Sequence, residues 1–193
     1  NDTPQLIVND LLMVDEGTAG TITQTLLEYT DDDHAASELT YPLAVAPING
    51  QLEANGTPLA ANETFTQAQI NADEIVYRHD GSETLTDSFD FTLTDGEIAA
   101  PLTGTFNINI TPQNDAPVAN DDSATVDEGA QVIISVLTND TDAENGLDAT
   151  SVAVVGGPAN GVAVPNADGT ITYTHNGSET TADSFTYMVD DVD

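Results

Sequence analysis

The chain has 193 residues, in which 34 Asp and Glu stand against a single Lys or Arg, and its formal net charge is −33. This charge repels phosphate backbones and anionic lipid surfaces, so it argues against nucleic acid and membrane-surface partners. The chain lacks cysteine, any long apolar run and a signal-peptide pattern. These absences exclude disulfides, thiolate metal sites and a membrane-inserted helix. Repulsion among the crowded carboxylates can then be reduced by binding hard divalent cations.

Short β-rich segments separated by Asn, Asp, Gly and Pro follow one another through the first half of the chain. Apolar and polar residues alternate around Phe89 and Phe91 and again around Phe106 and Ile108. This alternation is typical of half-buried strands and argues against a disordered acidic chain. A mild helical period predicts a short helix at 66–70. The predicted strands are 11–14, 22–24, 39–46, 51–54, 75–79, 88–94 and 102–111.

The second half of the chain repeats the first. The stretch "RHDGSETLTDSFDF" from Arg78 returns as "THNGSETTADSFTY" from Thr174, and "NDTP" and "VDEG" return as "NDAP" and "VDEG". The offset between the copies falls from 111 residues at "NG" to 96 at "GSET", so about fifteen residues of the first copy have no counterpart. The strands predicted in the second copy are 124–126, 132–137, 152–155, 162–165, 170–175 and 184–190.

The repeat predicts two domains, residues 1–114 and 115–193. Frequent turn residues between short strands predict an all-β fold of two tandem Greek-key β-sandwiches. Asp193 aligns with Glu97, so the second domain lacks a counterpart of the last strand, 102–111. We therefore expect an exposed sheet edge in that domain, or an edge completed by a neighbouring molecule. The start at "NDTPQ" without Met predicts that the chain is part of a longer protein.

Two stretches carry a resemblance to known domain families. Residues 59–96, "LAANETFTQAQINADEIVYRHDGSETLTDSFDFTLTDG", resemble the cadherin-like repeat that is also called the chondroitin sulfate proteoglycan repeat. The second half, with "DGTITYTHNGSETTADSFTYMVDD", resembles the bacterial Ig-like or cadherin-like tandem domains of long secreted proteins, notably RTX-type adhesins. The resemblance implies calcium at module junctions, a secreted or cell-surface location in a Gram-negative bacterium, and a non-catalytic extender or adhesion role, as in biofilms.

The resemblance also implies which residues bind calcium at the junction inside the chain. The first domain and the linker match the family's ligand positions at Glu16, Asp80, Glu83, Asn114 and Asp115. The loops of the second domain match them at Asp140, Asp142, Glu144, Asp190 and Asp191. We expect Glu16, Asp115 and Asp142 to share calcium, with smaller contributions from Asp80 and Glu83.

Counterparts of these residues lie at the other end of each domain, and they are Asp31, Asp32, Asp33 and Asp95 in the first and Glu128 in the second. The alternative interpretation is that most of the acids are solvated surface residues of a salt-adapted protein. Asp87 and Asp183, each before "SF", are predicted to bond backbone amides in turns rather than a metal.

No arrangement in the sequence predicts catalysis. His79, Asp80 and Ser82 are close in sequence, but neighbours along a strand point to opposite faces and cannot converge on one atom. Zinc-ligand spacings and a phosphate-binding loop are also absent. The predicted partners are neighbouring modules of the same polypeptide.

Two rival hypotheses remain. The first is a recognition module that binds a cell-surface glycan, a protein or a second copy of itself through the 50–75 insertion, with Tyr29, Tyr41 and Phe65 as candidate contacts, although these three are better predicted as core. The second is an accessory domain of a secreted polysaccharide-degrading enzyme.

Overall fold

A computed structural model describes residues 2–98 and 100–192. The chain divides into two compact units, Asn1–Gln113 and Asn114–Asp193. Strands make up nearly all the regular structure of both units, so the predicted all-β fold is confirmed.

The first unit is built from strands of two to ten residues and one short helix. Its strands are β1 (Gln5–Asn9), β2 (Leu12–Asp15), β3 (Ala19–Thr21), β4 (Leu27–Thr30), β5 (Thr40–Val45), β6 (Gly50–Ala54), β7 (Thr57–Pro58), β8 (Thr64–Thr66), β9 (Ile75–His79), β10 (Thr86–Leu93) and β11 (Leu102–Thr111), and its helix is α1 (Gln67–Asn71). The sheet orders are β2-β11-β10-β5-β8, β3-β9-β6-β7 and β1-β4.

A single core joins the two larger sheets of the first unit. Leu43 and Phe91 come from the five-stranded sheet, and Leu52 and Tyr77 come from the four-stranded sheet, and all four are almost fully buried in one cluster. Burying each such side chain contributes about 2 kcal/mol to the free energy of folding. The alternation predicted from the sequence around Phe89 and Phe106 therefore marks the core-facing sides of β10 and β11.

The helix α1 lies in the stretch that the second unit lacks, one residue later than predicted. Thr66 caps its first turn and forms a reciprocal capping box with Gln69. The buried Gln67 accepts a hydrogen bond at Oε1 from the backbone N–H of Tyr29 (3.0 Å) and from the hydroxyl of Tyr41. The insertion is thus anchored to the core of the first unit.

The second unit is smaller. Its strands are β12 (Gln131–Ile134), β13 (Ala153–Gly156), β14 (Gly161–Pro165), β15 (Ile171–His175) and β16 (Thr186–Met188), with a 3-10 turn at Val136–Thr138. They form two sheets, β12-β15-β14 and β13-β16. Its hydrophobic core is small and centres on the buried side chains of Val136, Val152 and Ile171.

The strand predicted at 124–126 is wrong, because these residues have no strand assignment. Their counterpart in the first unit is β2, which pairs with β11 in parallel, Ile110 opposite Val14. In the described part of the second unit no strand corresponds to β11, and β16 pairs with β13 alone. Residues 124–126 therefore have no strand against which to form a ladder, and β16 has the open edge that the sequence predicts.

Candidate metal centres

The repeated "HDGSE" and "HNGSE" motifs form the same hydrogen-bond network in both units. Nδ1 of His79 accepts from the backbone N–H of Gly17 (3.1 Å) and of Gly81 (3.3 Å), and its Nε2 lies 3.0 Å from the hydroxyl of Thr84. Because Nδ1 accepts, the ring carries its proton on Nε2 and donates to Thr84. His175 has the matching contacts with Gly129, Gly177 and Thr180. Both ring nitrogens are thus used to tie the "DEG" turn to the "GSE" loop.

Asp87 and Asp183 bond backbone amides, as predicted. Asp87 accepts from the backbone N–H of Ile48 (3.1 Å) and of Asn49 (3.0 Å), and also from the hydroxyl of Tyr77 (2.9 Å). Asp183 accepts in the same way from Ala159, Asn160 and Tyr173. These carboxylates have structural partners on both oxygens.

An acidic loop of the second unit presents carboxylate oxygens that lack partners. Oδ1 of Asp142 accepts from the backbone N–H of Glu144 (3.2 Å), Asn145 (2.8 Å) and Gly146 (2.8 Å). These hydrogen bonds, first those from Asn145 and Gly146, hold the pKa of Asp142 below its usual range. Among the described residues, Oδ2 of Asp142 and Oε1 of Glu144 are buried and have no hydrogen-bond partner.

The start of the second unit lies against the same loop. The backbone N–H of Asp115 donates to Oε2 of Glu144 (3.4 Å), and the side-chain amide of Asn114 donates to Oδ2 of Asp191 (2.9 Å). Asn145 in turn donates to Oδ1 of Asn114 (3.1 Å). The structure therefore brings together five of the predicted ligands within the second unit, Asn114, Asp115, Asp142, Glu144 and Asp191.

A second set lies in the first unit around Glu16. This side chain is 8% exposed, and its Oε2 accepts from the backbone N–H of Gln113 (3.2 Å). Its Oε1 is buried without a hydrogen-bond partner among the residues that the structure describes. Carboxylate oxygens of Glu16 and Glu83 lie within 4.8 Å of each other. Asp80 instead accepts from the backbone N–H of Ser82 (3.0 Å), so of the two predicted strand-end acids, Glu83 is the one beside Glu16.

A third set, also in the first unit, contains a residue that the sequence did not suggest. Ligand atoms of Asp31, His34 and Asp95 lie within 4.8 Å of one another, and Nδ1 of His34 is 3.0 Å from Oδ1 of Asp31. The hydrogen bond to Asp31 raises the pKa of His34. An imidazole nitrogen beside two carboxylates suits zinc and similar ions better than calcium. Comparison of the two copies of the repeat does not point to His34, because the counterpart loop in the second copy, "NDTDAEN", has no histidine.

The remaining predicted ligands have other surroundings. Both oxygens of Asp140 are used, Oδ1 by the backbone N–H of Asn120 (2.7 Å) and Oδ2 by the hydroxyl of Tyr187 (2.8 Å). Asp33 accepts from the backbone N–H of Asp2 (2.8 Å). The side chains of Glu128 and Asp190 are exposed. These hydrogen bonds favour a structural role for Asp140, whose assignment as a ligand stays a prediction.

Calcium fits the donor set of the second unit. Calcium takes six to eight oxygen ligands from carboxylates, carbonyls and side-chain amides. The loop and the start of the unit offer carboxylates of Asp142, Glu144 and Asp191 and the amide oxygen of Asn114. Burying an ionised oxygen without a partner is costly, so the loop of Asp142 and Glu144 is a candidate cation site.

Comparison with known families identifies the family of the chain. The sequence profile of the cadherin-like family matches residues 4–110, more than half of the chain. The chain belongs to the cadherin-like family. Residues 114–193 of this cadherin-like chain match the bacterial cadherin-like domain. The resemblance predicted from "YRHDGSETLTDSFDF" is thereby confirmed.

Similar proteins are much longer than this cadherin-like chain. Extracellular matrix organizing protein FRAS1 of Homo sapiens is 29% identical over 208 residues, which cover 97% of this chain and 5% of that protein. Chondroitin sulfate proteoglycan 4 of Homo sapiens is 34% identical over 102 residues, which cover 52% of this chain and 4% of that protein. The crystal structure of human protocadherin-24 EC1-2 aligns with a TM-score of 0.49 and 15% identity over 98% of this chain and 94% of that chain.

Of these relatives, FRAS1 is an extracellular matrix protein by name. In the described part of the chain, no helix has the length and apolar character needed to cross a membrane. The relatives named above are human proteins, so the Gram-negative bacterial origin and the RTX-type parent protein stay predictions.

Proposed function

We propose that the two units are non-catalytic, calcium-stabilised modules that extend or present other domains of a large secreted or cell-surface protein of a Gram-negative bacterium. The observation that carries this proposal is the pair of buried, partnerless oxygens on Asp142 and Glu144. The bacterial setting rests on the match of the second unit to the bacterial cadherin-like domain. The partners are neighbouring modules of the same polypeptide.

The residues of the second unit prepare the cation site before any ion arrives. Three backbone amides fix Oδ1 of Asp142, so its Oδ2 is held in one direction. The backbone N–H of Asp115 orients Glu144 in a similar way. Bound calcium supplies positive charge that offsets the repulsion among these carboxylates. The sharing of one calcium by Glu16, Asp115 and Asp142 stays a prediction from the sequence.

A structural role rather than catalysis is supported by the surroundings of the histidines. His79 and His175 use both ring nitrogens in internal hydrogen bonds. Tyr29, Tyr41 and Phe65, the contacts suggested for a recognition module, are 6%, 0% and 0% exposed. They belong to the core, so recognition through these three side chains is wrong.

Calcium binding to the 193-residue chain tests the proposal by isothermal titration calorimetry. We expect Asp142→Asn to weaken calcium binding about tenfold or more, because the amide keeps an acceptor for the loop but loses the charge and the free carboxylate oxygen. Asp168→Asn is the matched control, since Asp168 also accepts hydrogen bonds in a turn, from the N–H (3.1 Å) and hydroxyl (2.7 Å) of Thr170. Equal calcium affinity in the two variants, or no calcium binding by the unaltered chain, contradicts the proposal.

A further inference from the structure

The set of Asp31, His34 and Asp95 lies entirely in the first unit and contains a nitrogen donor. One ligand atom from each residue lies within 4.8 Å of the other two. Nδ1 of His34 is 3.0 Å from Oδ1 of Asp31 and 3.9 Å from Oδ2 of Asp95. In a tetrahedral zinc site with bonds of about 2.0–2.2 Å, neighbouring ligand atoms are about 3.3–3.6 Å apart. The two distances bracket this range, so small adjustments bring the three side chains onto one ion.

Asp31 indicates a cation independently of this spacing. Its side chain is 0% exposed. Oδ1 accepts from the backbone N–H of Asp33 (2.8 Å) and of His34 (2.9 Å), and these hydrogen bonds fix the carboxylate in the loop that follows β4. Oδ2 is buried and has no hydrogen-bond partner among the residues that the structure describes. Burying an ionised oxygen without a partner is costly, and a bound cation offsets that cost.

Asp95 is oriented in the same way from the turn that follows β10. Its side chain is also 0% exposed. Oδ1 accepts from the backbone N–H of Glu97 (2.8 Å) and of Ile98 (2.8 Å), and Oδ2 is the oxygen that lies 3.9 Å from Nδ1 of His34. Backbone amides therefore hold both carboxylates of the set in place, one from each of two loops.

His34 differs from the other two histidines of the chain. His79 and His175 use both ring nitrogens in internal hydrogen bonds. Nδ1 of His34 instead lies against the carboxylates of Asp31 and Asp95. A ring nitrogen and a carboxylate oxygen both carry lone pairs, so a separation of 3.0 Å requires a proton or a cation between them. The side chain of His34 is 14% exposed, so an ion can reach Nδ1 from solvent.

The equivalent loop of the second unit has no nitrogen donor. There Oδ1 of Asp142 accepts from the backbone N–H groups two and three residues further on, as Oδ1 of Asp31 does in the first unit. By this match Asn145 occupies the position of His34. The side-chain amide of Asn145 donates to Asn114. Imidazole suits zinc and similar transition metals, whereas carboxylate and carbonyl oxygens suit calcium. The two loops thus share a backbone arrangement but differ in the metal that they favour.

We propose that Asp31, His34 and Asp95 form a zinc site in the first unit, separate from the calcium site proposed in the second. Nδ1 of His34 and one carboxylate oxygen of each aspartate bind the ion, and water completes four-coordination. This proposal replaces calcium by zinc at Asp31 and Asp95, for which the family resemblance implies calcium. The ion joins the loop after β4 to the turn after β10 and so stabilises the first unit.

Isothermal titration calorimetry of the 193-residue chain with zinc tests the site. Excess calcium fills calcium sites, and high salt screens diffuse binding to the acidic surface. We expect one zinc ion per chain, with an affinity that His34→Asn lowers about tenfold or more, because the variant has the side chain of the second unit's loop and lacks the imidazole. Asp31→Asn lowers it similarly. The matched control is Asp32→Asn, which removes the same charge from the same loop at an exposed side chain and leaves the affinity unchanged.

A second measurement needs no variant. The imidazole ¹H–¹⁵N spectrum of the unaltered chain is followed as zinc is added, with each ring assigned through its own backbone. We expect saturable shifts in the ring of His34 and none in the rings of His79 and His175, which serve as internal references. An unchanged His34 ring overturns the proposal, as does equal zinc affinity in His34→Asn and Asp32→Asn.

Calcium competition distinguishes zinc from the ion that the family resemblance implies. If excess calcium abolishes zinc binding at His34, the site belongs to calcium and the proposal is overturned. The inference stands apart from the proposed function, since Asp142→Asn is expected to lose calcium affinity in the second unit and to keep its zinc affinity. Loss of zinc binding in that variant also contradicts a zinc site built from the first unit alone.

Discussion

His79 and His175 occupy the same place in the two units, and each joins a "DEG" turn to a "GSE" loop through Nδ1. The repeat of these letters shows that the two units are related, but a sequence pattern does not reveal which nitrogen accepts. Nε2 of His79 lies 3.9 Å from Oδ1 of Asp80, and this nitrogen contacts the hydroxyl of Thr84 at 3.0 Å instead. Roles of single residues in turns follow from backbone geometry that the sequence encodes only indirectly.

Asp183 provides a pH-dependent prediction at this scale. Burial raises the pKa of Asp183, but hydrogen bonds from Asn160, Tyr173, Ala159 and Ser184 outweigh burial and leave the pKa below its usual value. A carboxyl with a lowered pKa stabilises the fold above its unfolded pKa of about 4, and this contribution is lost as the pH falls through the folded pKa.

We therefore expect Asp183→Asn to lower the unfolding temperature of the second unit by about 5 °C at pH 7. The gap between variant and unaltered chain should narrow as the pH falls from about 4 towards 2, where Asp183 itself becomes protonated. Thermal unfolding followed by circular dichroism across this pH range measures both effects. A gap that stays constant over the whole range shows that the charge of Asp183 is not what stabilises the turn.

The sequence predicted the acidic residues of the set around Asp142, and in the set around His34 it predicted Asp31 and Asp95 but not the histidine. The ligand positions of the cadherin-like family lie in acidic loops. Asp115, Asp142 and Glu144 could therefore be predicted as ligands by matching the sequence to those positions. The second copy of the repeat has no histidine at the position of His34. The distance between His34 and Asp95 also depends on how two loops fold against each other. Asp140 looked equivalent to Asp142, yet the hydroxyl of Tyr187 occupies one of its oxygens.

At the scale of elements, strands with two paired neighbours were the most predictable. The predicted ranges 75–79 and 102–111 coincide with β9 and β11, along which more buried and less buried side chains alternate. Strands β1 and β4 pair only with each other and were not predicted. The strand predicted at 22–24 is wrong, because these residues follow β3 and have no strand assignment. The strand predicted at 124–126 is absent although its residue types favour a strand, because a strand also needs a neighbouring strand with which to form hydrogen bonds. Pairing is a long-range property that a local pattern does not contain.

The hairpin β14-β15 offers a prediction about packing. A Cβ added to Gly161 lies 2.6 Å from the carbonyl oxygen of Thr174 and 2.6 Å from the ring of Tyr173. We expect Gly161→Ala to destabilise the second unit by about 1–3 kcal/mol, because backbone cannot move away as a flexible side chain can. Gly157→Ala is the control, since a Cβ there meets nothing within 4 Å. Chemical denaturation measures both, and equal midpoints for the two variants contradict the packing described for the hairpin.

At the scale of the whole molecule, 193 residues carry a net charge of −33 and no disulfide. The second unit has a small core and an acidic loop with buried free oxygens. Such a unit needs stabilisation from outside its own apolar contacts. In the function proposed above, calcium at the acidic loop supplies this stabilisation. The sequence indicated the acidic loops, while the buried oxygens without hydrogen-bond partners required the structure.

Thermal unfolding of the 193-residue chain in calcium and in EDTA tests the calcium account most directly. Both samples contain the same total ionic strength, adjusted with NaCl, so that general screening of the acidic surface is equal. With calcium at a hundredfold excess over its Kd, we expect stabilisation of about 2.7 kcal/mol and a higher unfolding temperature. Identical unfolding temperatures in calcium and in EDTA contradict the claim that calcium stabilises these modules.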